Sequence, residues 1–284
     1  MRFHLAFKAY DAHELACHFV ARYAGLYGQH GLEPTLVDST FSSSDELPEP
    51  YFSVACGAAA ADFLHGRDVR VVFVASRRPM FWLYVGPDVQ ELQGLSGQTI
   101  AGYPENAPPA AFLESLWSGH GHEPGELHVV PARDDIARLG MLADGSARGA
   151  VLSSAIPGDV MMRLGFVPLM FFGDEVSLAT TGLAAPGKLC EANPELVRAV
   201  CACYRQAIAL VHADADVLQS ALASASVPLW REAPALVAAV RRSYTADGSW
   251  PLDDLAPGLD AMAAALGVRP RPAGELYDFS FLSD

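Results

Sequence analysis

Short runs of strand character alternate with helix-forming segments along most of the chain, and this alternation limits the folds open to it. Residues 3–7 predict a strand, Asp11 a helix start, and the apolar residues after it recur at helical spacing. Further strands are predicted at residues 35–37, 52–55 and 69–75. Strands separated by helices predict a mainly parallel sheet covered on both faces.

The same alternation restarts with a strand at residues 99–101 and continues through strands at 127–130 and 150–152. Asn193 then supplies a capping residue and Pro194 a first-turn proline for a long helix, and the remainder is helical. We therefore predict two lobes. The first is discontinuous, with residues 1–85 and a mostly helical segment 185–284, and the second comprises residues 86–184; the chain crosses near 81–87 and 178–186.

The composition excludes several classes of protein. The chain has 284 residues, 51% of them hydrophobic, which is enough for a full core. Its 19 Lys and Arg against 33 Asp and Glu give a net charge of −14, which disfavours nucleic acid as a partner. No apolar run reaches the roughly 20 residues that a bilayer requires, so no membrane insertion is predicted.

Two features bear on location. The 5 cysteines are odd in number and irregularly spaced, unlike a disulfide framework, which favours a reducing compartment. The first seven residues lack the charged region and apolar stretch of a signal peptide. The sequence as it stands therefore predicts a cytoplasmic location, or a periplasmic one if an export signal has been removed.

Four stretches follow one another in an order that is typical of a known family. Residues 10–33 hold the first helix and its glycine-rich end, and residues 54–70 a strand, a helix and a return. Residues 92–101 read L-Q-G-L-S-G-Q-T-I-A, with Gln and Ala where the family pattern has Lys and Gly, and residues 193–197 read N-P-E-L-V. Together they resemble periplasmic solute-binding proteins of type II fold, specifically the nitrate/sulfonate/taurine-binding group and the related NMT1/THI5-like group.

The resemblance implies an α/β, two-lobed type II periplasmic-binding-protein fold with two mainly parallel sheets and a hinge of two crossings. It also implies binding of a small anionic or aromatic organic molecule in the interlobe cleft, as in the substrate-binding protein of an ABC transporter, with a permease as partner and no cofactor. We expect a monomer or weak dimer. The same scaffold carries cytoplasmic enzymes, so a decarboxylase, dehydratase or C–S lyase using cleft His, Asp, Cys and Arg side chains is the alternative.

Ligands of open α/β sheets sit beyond the carboxyl ends of the strands, so the loops there hold the candidate site residues. These are Tyr10, Asp11, His13, Ser39, Ser42, Cys56, Gly57, Arg77, Tyr103, Asn106, Arg133, Ser153, Ser154 and Thr180.

Cations and helix starts among these loops favour an anionic ligand. The guanidinium of Arg77 or Arg133 could hold a carboxylate, sulfonate or phosphate through paired hydrogen bonds. We expect one of the two, together with His13, to face the cleft, although each could also be a surface arginine. The helix starts at Cys56-Gly57 and after Asn106 offer backbone N–H groups of favourable polarity.

Several residues of these loops could be catalytic, and each also has a simpler structural role open to it. Asp11 most simply caps the first helix, but it could orient His13 as a general base. Cys56 at a helix start could be a nucleophile paired with His13, or a small buried residue. Lys8 could form a Schiff base or be an ordinary surface charge.

Aromatic and histidine side chains leave further alternatives. Tyr10, Phe41, Trp82 and Tyr103 could form flat walls for a heterocyclic ligand or belong to the core. The His-Gly-His sequence at 120–122 has metal-like spacing, but nothing nearby supplies a third ligand, so we predict no metal site. No glycine-rich phosphate loop, G-x-S-x-G or H-E-x-x-H pattern occurs.

Overall fold

A computed structural model describes residues 1–105 and 107–283. The strands are β1 (Arg2–Phe7), β2 (Glu33–Asp38), β3 (Tyr51–Ser53), β4 (Val69–Ser76), β5 (Phe81–Val85), β6 (Thr99–Gly102), β7 (His128–Pro131), β8 (Gly149–Ser153), β9 (Val167–Phe171) and β10 (Thr181–Pro186). The helices are α1 (Ala12–Tyr23), α2 (Leu26–Gln29), α3 (Cys56–Leu64), α4 (Pro108–Gly119), α5 (Asp135–Ala143), α6 (Gly158–Arg163), α7 (Phe172–Glu175), α8 (Gly187–Ala192), α9 (Pro194–Ala213), α10 (Ala215–Ala223), α11 (Pro234–Ser243), α12 (Leu252–Ala265) and α13 (Ala273–Leu276).

The chain divides into two compact units. Unit 1 comprises Met1–Arg78, Ser177–Glu232 and Val237–Asp284, and unit 2 comprises Pro79–Val176 together with Ala233–Leu236. The first crossing and the return therefore precede the predicted ones by several residues. The reason is that β5 and β10, which the sequence analysis treated as crossings, are strands of the sheets.

The sheet of unit 1 has the order β2-β1-β3-β10-β4, and that of unit 2 the order β7-β6-β8-β5-β9. In unit 1 only β10 runs antiparallel to its neighbours β3 and β4. In unit 2 only β5 does so, between β8 and β9. Each sheet is thus mixed but mainly parallel, and the two have equivalent strand orders. The predicted α/β architecture with two units is confirmed.

Helices cover both faces of each sheet, as the apolar patterns require. In unit 2, Leu113 and Trp117 of α4 belong to one buried cluster, and Leu142 of α5 with Met161 of α6 to another. In unit 1, α3, α12 and α13 pack with β4 in one cluster, while α1 packs against α9 and α10. Each unit therefore has its own core.

The close approach of the β10 and β4 backbones explains why the sequence pattern of β10 indicates a strand only weakly. A Cβ atom at Gly182 would lie 1.9 Å from the carbonyl oxygen of Phe73 in the neighbouring β4. Glycine is the residue that permits two backbones to come this near. The glycine at position 182 is therefore a packing requirement, and it interrupts the apolar pattern that would indicate a strand at β10.

α9 is the one described helix whose length and mean hydropathy of 1.2 would allow it to cross a membrane. Half of that stretch is buried inside the protein, and the helix packs against α1, α10 and β4. These contacts are typical of a core helix of unit 1.

Candidate functional site

The carboxyl edge of the unit 1 sheet gathers most of the predicted residues. Because β1, β2, β3 and β4 are parallel, the loops that follow them lie along one edge, and the antiparallel β10 starts there. The start of α1, which follows the first strand, meets the loop before β10: the Nε2 of His13 lies 2.8 Å from the Oγ1 of Thr180.

His13 is buried, and burial lowers its pKa to about 3. Its imidazole is therefore neutral at ordinary pH. Its pKa is far below the value near neutrality that suits a general base. Asp11 caps α1 as expected, accepting a hydrogen bond of 2.8 Å from the backbone N–H of Glu14. The pair is arranged to hold hydrogen bonds, and this geometry does not favour catalysis by it.

Glu14 is a polar group of this edge that the sequence analysis missed. Its carboxylate accepts hydrogen bonds from the backbone N–H groups of Lys8 at 2.9 Å and Ala9 at 3.1 Å. Burial, reinforced by the charge of Asp11, raises the pKa of Glu14 to about 8. The Asp-x-x-Glu spacing of a capping box was the signal for it.

Lys8 braces the loop after β2. Its Nζ donates to the carbonyl oxygens of Ser39 at 2.6 Å and Ser42 at 2.7 Å, and burial lowers its pKa. Ser39 is itself buried and donates its hydroxyl to the carbonyl of Phe7 at 2.7 Å. The Lys8 ammonium and the Ser39 hydroxyl thus hold the loop by hydrogen bonds to its backbone carbonyls. This use of the ammonium argues against a Schiff base at Lys8.

Cys56 does not line the edge. It is fully buried in the core beside α12 and α13, with its Sγ 3.8 Å from the carbonyl oxygen of Phe73, and burial raises its pKa. A protonated, inaccessible thiol is a poor nucleophile, so the buried alternative holds. The next residue, Gly57, donates its N–H to the carbonyl of Thr180 at 3.3 Å.

Arg77 and Tyr10 are both engaged by aromatic neighbours within unit 1. The guanidinium of Arg77 lies 3.7 Å from the ring centre of Trp250 and donates to the Oγ of Ser177 at 3.2 Å. Tyr10 stacks on buried Trp230 with ring centres 6.0 Å apart, and its hydroxyl donates to a carbonyl at 3.2 Å. Both side chains keep some exposure, so each can still offer one face to a ligand.

At the carboxyl edge of unit 2, an ion pair joins three loops. Arg138 is buried and donates to Asp135 at 2.9 Å and to the carbonyl of Ala132 at 2.9 Å, while its guanidinium lies 3.7 Å from the ring centre of Tyr103. Asp135 also accepts from the hydroxyl of Ser153 at 2.7 Å and from the Ser153 N–H at 2.9 Å.

This cluster changes the expected roles of two predicted residues. Ser153 is buried and its hydroxyl donates a hydrogen bond to Asp135. The hydroxyl therefore fixes the end of β8 to α5 and does not offer its proton to a ligand. Ser154 is buried as well. Asp135 and Arg138 lie inside a predicted helix, and sequence pattern alone gives no sign that Arg138 is buried or that Asp135 is largely covered.

Arg133 remains exposed beside this cluster, whereas Asn106 lies outside the described residues. His120 directs its Nδ1 at the carbonyl of Leu116, 2.8 Å away, and His122 packs on Trp117 with ring centres 4.4 Å apart. No group of three or more His, Cys, Asp or Glu within residues 1–105 and 107–283 could hold a metal ion.

A surface cavity of about 410 Å³ lies at the opposite, amino edge of the unit 1 sheet. It is open to solvent and lined by residues that include Tyr51, Pro186 and Asn193, with an ion pair between Lys188 and Glu49. None of the predicted site residues lines this cavity. The predicted residues lie instead at the carboxyl edge of each sheet, where polar side chains from neighbouring loops are in contact within each unit.

Comparison with solved structures identifies the architecture. The periplasmic aliphatic sulphonate binding protein SsuA of Escherichia coli is 11% identical, with a TM-score of 0.76 over 99% of each chain. The alkanesulfonate-binding protein SsuA of Xanthomonas axonopodis pv. citri, bound to MOPS, is 16% identical with a TM-score of 0.72 over 98% of each chain. The desulfurization enzyme DszB is 13% identical, with a TM-score of 0.74 over 99% of this chain and 98% of its own.

The chain has the periplasmic-binding-protein fold. At these identities the likeness concerns the fold, which a binding protein and an enzyme share here. Neither a protein-family model nor a curated protein sequence matches the chain. The periplasmic-binding-protein fold predicted from segment order is confirmed, and function has to be argued from the site.

Proposed function

We propose that this chain is a substrate-binding protein of the ABC-transporter type that binds a small anionic or aromatic organic molecule at the carboxyl edges of its sheets. The observation that carries the proposal is the shared fold, over 98–99% of the chain, with two sulfonate-binding proteins, one of them bound to MOPS. An ABC permease would be its partner, and the role implies a periplasmic location. Five free and buried thiols are compatible with an oxidising compartment because none is accessible.

The groups at the two edges suit binding by hydrogen bonds and exposed cations. His13 is neutral and contacts Thr180, and Tyr103 presents a half-buried ring backed by a guanidinium. Arg133 supplies an exposed positive charge for an anionic head group. These edges therefore support recognition without requiring a reactive group.

Thermal unfolding with added sulfonates, carboxylates and pyrimidines tests the proposal. A true ligand at about 100 times its Kd should stabilise the protein by about 2.7 kcal/mol. Methanesulfonate, benzenesulfonate, MOPS and uracil are suitable probes. Stabilisation by none of the tested classes would remove the proposed function.

A matched pair of variants then tests the role of charge. Arg133→Ala should raise the Kd of an anionic probe at least about tenfold, since a charged hydrogen bond contributes about 1.5–3 kcal/mol. Arg163→Ala removes another exposed arginine, at the end of α6, and should leave the Kd unchanged. Equal effects of the two substitutions would show that only the overall charge matters.

The enzyme alternative is supported by the likeness to DszB. A nucleophile–base pair of Cys56 and His13 is opposed by the buried thiol and by the low pKa of the imidazole. Incubation with an aromatic sulfinate and detection of released sulfite would decide the matter. Turnover would establish the enzyme, and tight binding without turnover the binding protein.

A further inference from the structure

Several arginines of the chain lie flat against an aromatic ring, and Arg77 differs from the others in its partners. The guanidinium carbons of Arg77, Arg138 and Arg271 each lie 3.7 Å from the centre of a ring. Arg138 also pairs with the carboxylate of Asp135 at 2.9 Å, and Arg271 pairs with that of Glu275 at 3.0 Å. In these two cases a stacked guanidinium is neutralised by an acid of the same helix or of the helix it precedes.

Arg77 has no such acidic partner in the part of the chain that the structure describes. Its side chain is half-buried, and the one hydrogen bond that its guanidinium donates there goes to the neutral hydroxyl of Ser177, from Nη1, at 3.2 Å. Covering a cation removes part of its hydration, and an anion that accepts from the remaining donors compensates for this loss. Because Nη1 bonds to Ser177, the parallel N–H groups of Nε and Nη2 are left for a bidentate acceptor.

Trp250 fixes the plane in which these donors lie. Its ring covers one face of the guanidinium, and its own Nε1 donates to a carboxylate oxygen of Asp254 at 3.0 Å. The indole also packs against the buried cluster that contains α3, β4 and α12. A guanidinium held flat against a fixed ring loses less conformational freedom when it binds a partner, which increases its affinity for that partner.

The backbone contacts of Arg77 place it beside the polar groups of the same sheet edge. Arg77 follows β4, and its carbonyl accepts from the N–H of Leu178 at 2.8 Å. The carbonyl of the preceding Ser76 accepts from the N–H of Thr180 at 3.0 Å, and Thr180 contacts His13. Arg77 and the contact between His13 and Thr180 therefore belong to one short stretch of the carboxyl edge of the unit 1 sheet.

We infer that Arg77 is the anion-binding residue of this edge and that Trp250 is its positioning residue, which holds the guanidinium for a head group with two charged oxygens. A carboxylate or a sulfonate fits, because each offers two oxygens to the parallel N–H groups. The inference rests on the proposed function and names how unit 1 recognises the ligand. It concerns unit 1 alone and is separate from the role of Arg133, which belongs to unit 2.

Isothermal titration calorimetry with benzenesulfonate tests the role of Arg77 in the full chain. Arg77→Gln should raise the Kd about tenfold or more, as loss of a charged hydrogen bond does. Arg77→Lys keeps the charge but lacks the two parallel donors, so its Kd should also rise. Arg271→Gln is the matched control, because it removes an equally stacked arginine of unit 1 that already has a carboxylate partner. Its Kd should equal that of the wild type.

Substitution of Trp250 separates positioning from a general effect on structure. Trp250→Ala should raise the Kd of benzenesulfonate about fivefold, and Trp250→Phe, which restores a flat ring, should return it to within about twofold of the wild type. Benzenesulfonate should also change the tryptophan fluorescence of the wild type, because an anion on Arg77 alters the charge beside the indole. The larger part of that change should be absent in Trp250→Phe, although this variant still binds the probe.

Several results would contradict the inference. If Arg77→Gln binds benzenesulfonate as tightly as the wild type does, Arg77 does not contact the anion, while the proposed function stands. Equal losses in Arg77→Gln and Arg271→Gln would show that only the net charge matters. If Arg77→Lys or Trp250→Ala matches the wild type, or if Trp250→Phe is as weak as Trp250→Ala, Trp250 has no positioning role. If benzenesulfonate does not bind the wild type, the inference falls together with the sulfonate form of the proposed function.

Discussion

His13 shows how a single buried side chain couples the candidate site to stability. Its neutral ring contacts Thr180, and burial lowers its pKa to about 3 from 6.5. Between these pH values His13 binds a proton in the unfolded chain and stays neutral in the folded chain. The stability contributed by neutral His13 is therefore complete above about pH 6.5 and is lost as the pH falls towards 3.

Replacing His13 by glutamine isolates this effect, since glutamine does not titrate and can still hydrogen-bond Thr180. We expect the variant to lose less stability than the wild type between pH 7 and pH 5, by at most about 1.4 kcal/mol per pH unit. His18, whose pKa burial lowers to about 4, and Glu14 remain in both proteins. Urea unfolding at several pH values measures the difference, and parallel curves would contradict the expectation.

The cysteines give a second prediction at this scale. All five are free and buried, and burial raises the pKa of Cys190 to about 11 and of Cys203 to about 12. A thiol reagent such as DTNB should therefore label the native protein slowly and all five thiols promptly in denaturant. Rapid labelling of Cys56 in the native state would reopen the enzyme alternative.

Among the elements, α5 is held to its sheet by charge as well as by apolar packing. Asp134 caps the helix by accepting from the N–H of Ala137 at 2.9 Å. Within the helix, the buried Arg138 pairs with Asp135, and Asp135 in turn holds Ser153 at the end of β8. The helix start and the strand ends around it are consequently one hydrogen-bonded assembly.

Replacing Arg138 by methionine should destabilise the protein by about 3 kcal/mol, because the largely buried Asp135 carboxylate would lose its cationic partner and keep only its hydrogen bonds from Ser153. Arg133→Ala, an exposed arginine five residues earlier, should change stability by no more than about 0.5 kcal/mol. Urea unfolding compares the two variants. Similar midpoints would show that the ion pair contributes little.

Sequence pattern located most elements because their signals are local. The strand at residues 69–75 and the helix opened by Asn193-Pro194 were predicted within a residue or two of β4 and α9. Sequence pattern does not reveal β5 and β10, because both lie in the segments predicted as crossings and because the residues of β10 other than Leu183 are small or proline. Its partner strands, β3 and β4, come from distant parts of the chain.

The candidate site was less predictable, since burial of a charged group depends on tertiary contacts. His13, predicted to follow the first strand, and Thr180 are in contact at the carboxyl edge of the unit 1 sheet. Thr180 lies at this edge because it precedes the antiparallel β10, and not because it follows a strand. Position after a strand also selected Cys56, whose side chain turns into the core. The buried Arg138 carries no local sign that separates it from the exposed Arg133.

For the molecule as a whole, the net charge of −14 opposes the approach of an anionic ligand. Salt screens this repulsion, with a Debye length of about 30 Å at 0.01 M and about 8 Å at 0.15 M. We therefore expect the Kd of benzenesulfonate to fall a few-fold over this range and that of zwitterionic taurine to change little. A Kd that rises with salt would show that local cations outweigh the overall charge.

The two connections by which the chain leaves unit 1 and returns to it indicate that the segment between them could be replaced by a short turn. They belong to β4 and β10, which are paired with Ser76 opposite Thr181, and they continue into β5 and β9, where Trp82 stands opposite Phe171. In topological terms, the Pro79–Val176 segment of unit 2 is a very long turn of a β-hairpin formed by β4 and β10. Because the entropy of closing a loop grows only slowly with its length, a turn tolerates so large an insertion. A tight Asn-Gly turn grafted after Ser76 should then close the hairpin as an ordinary one.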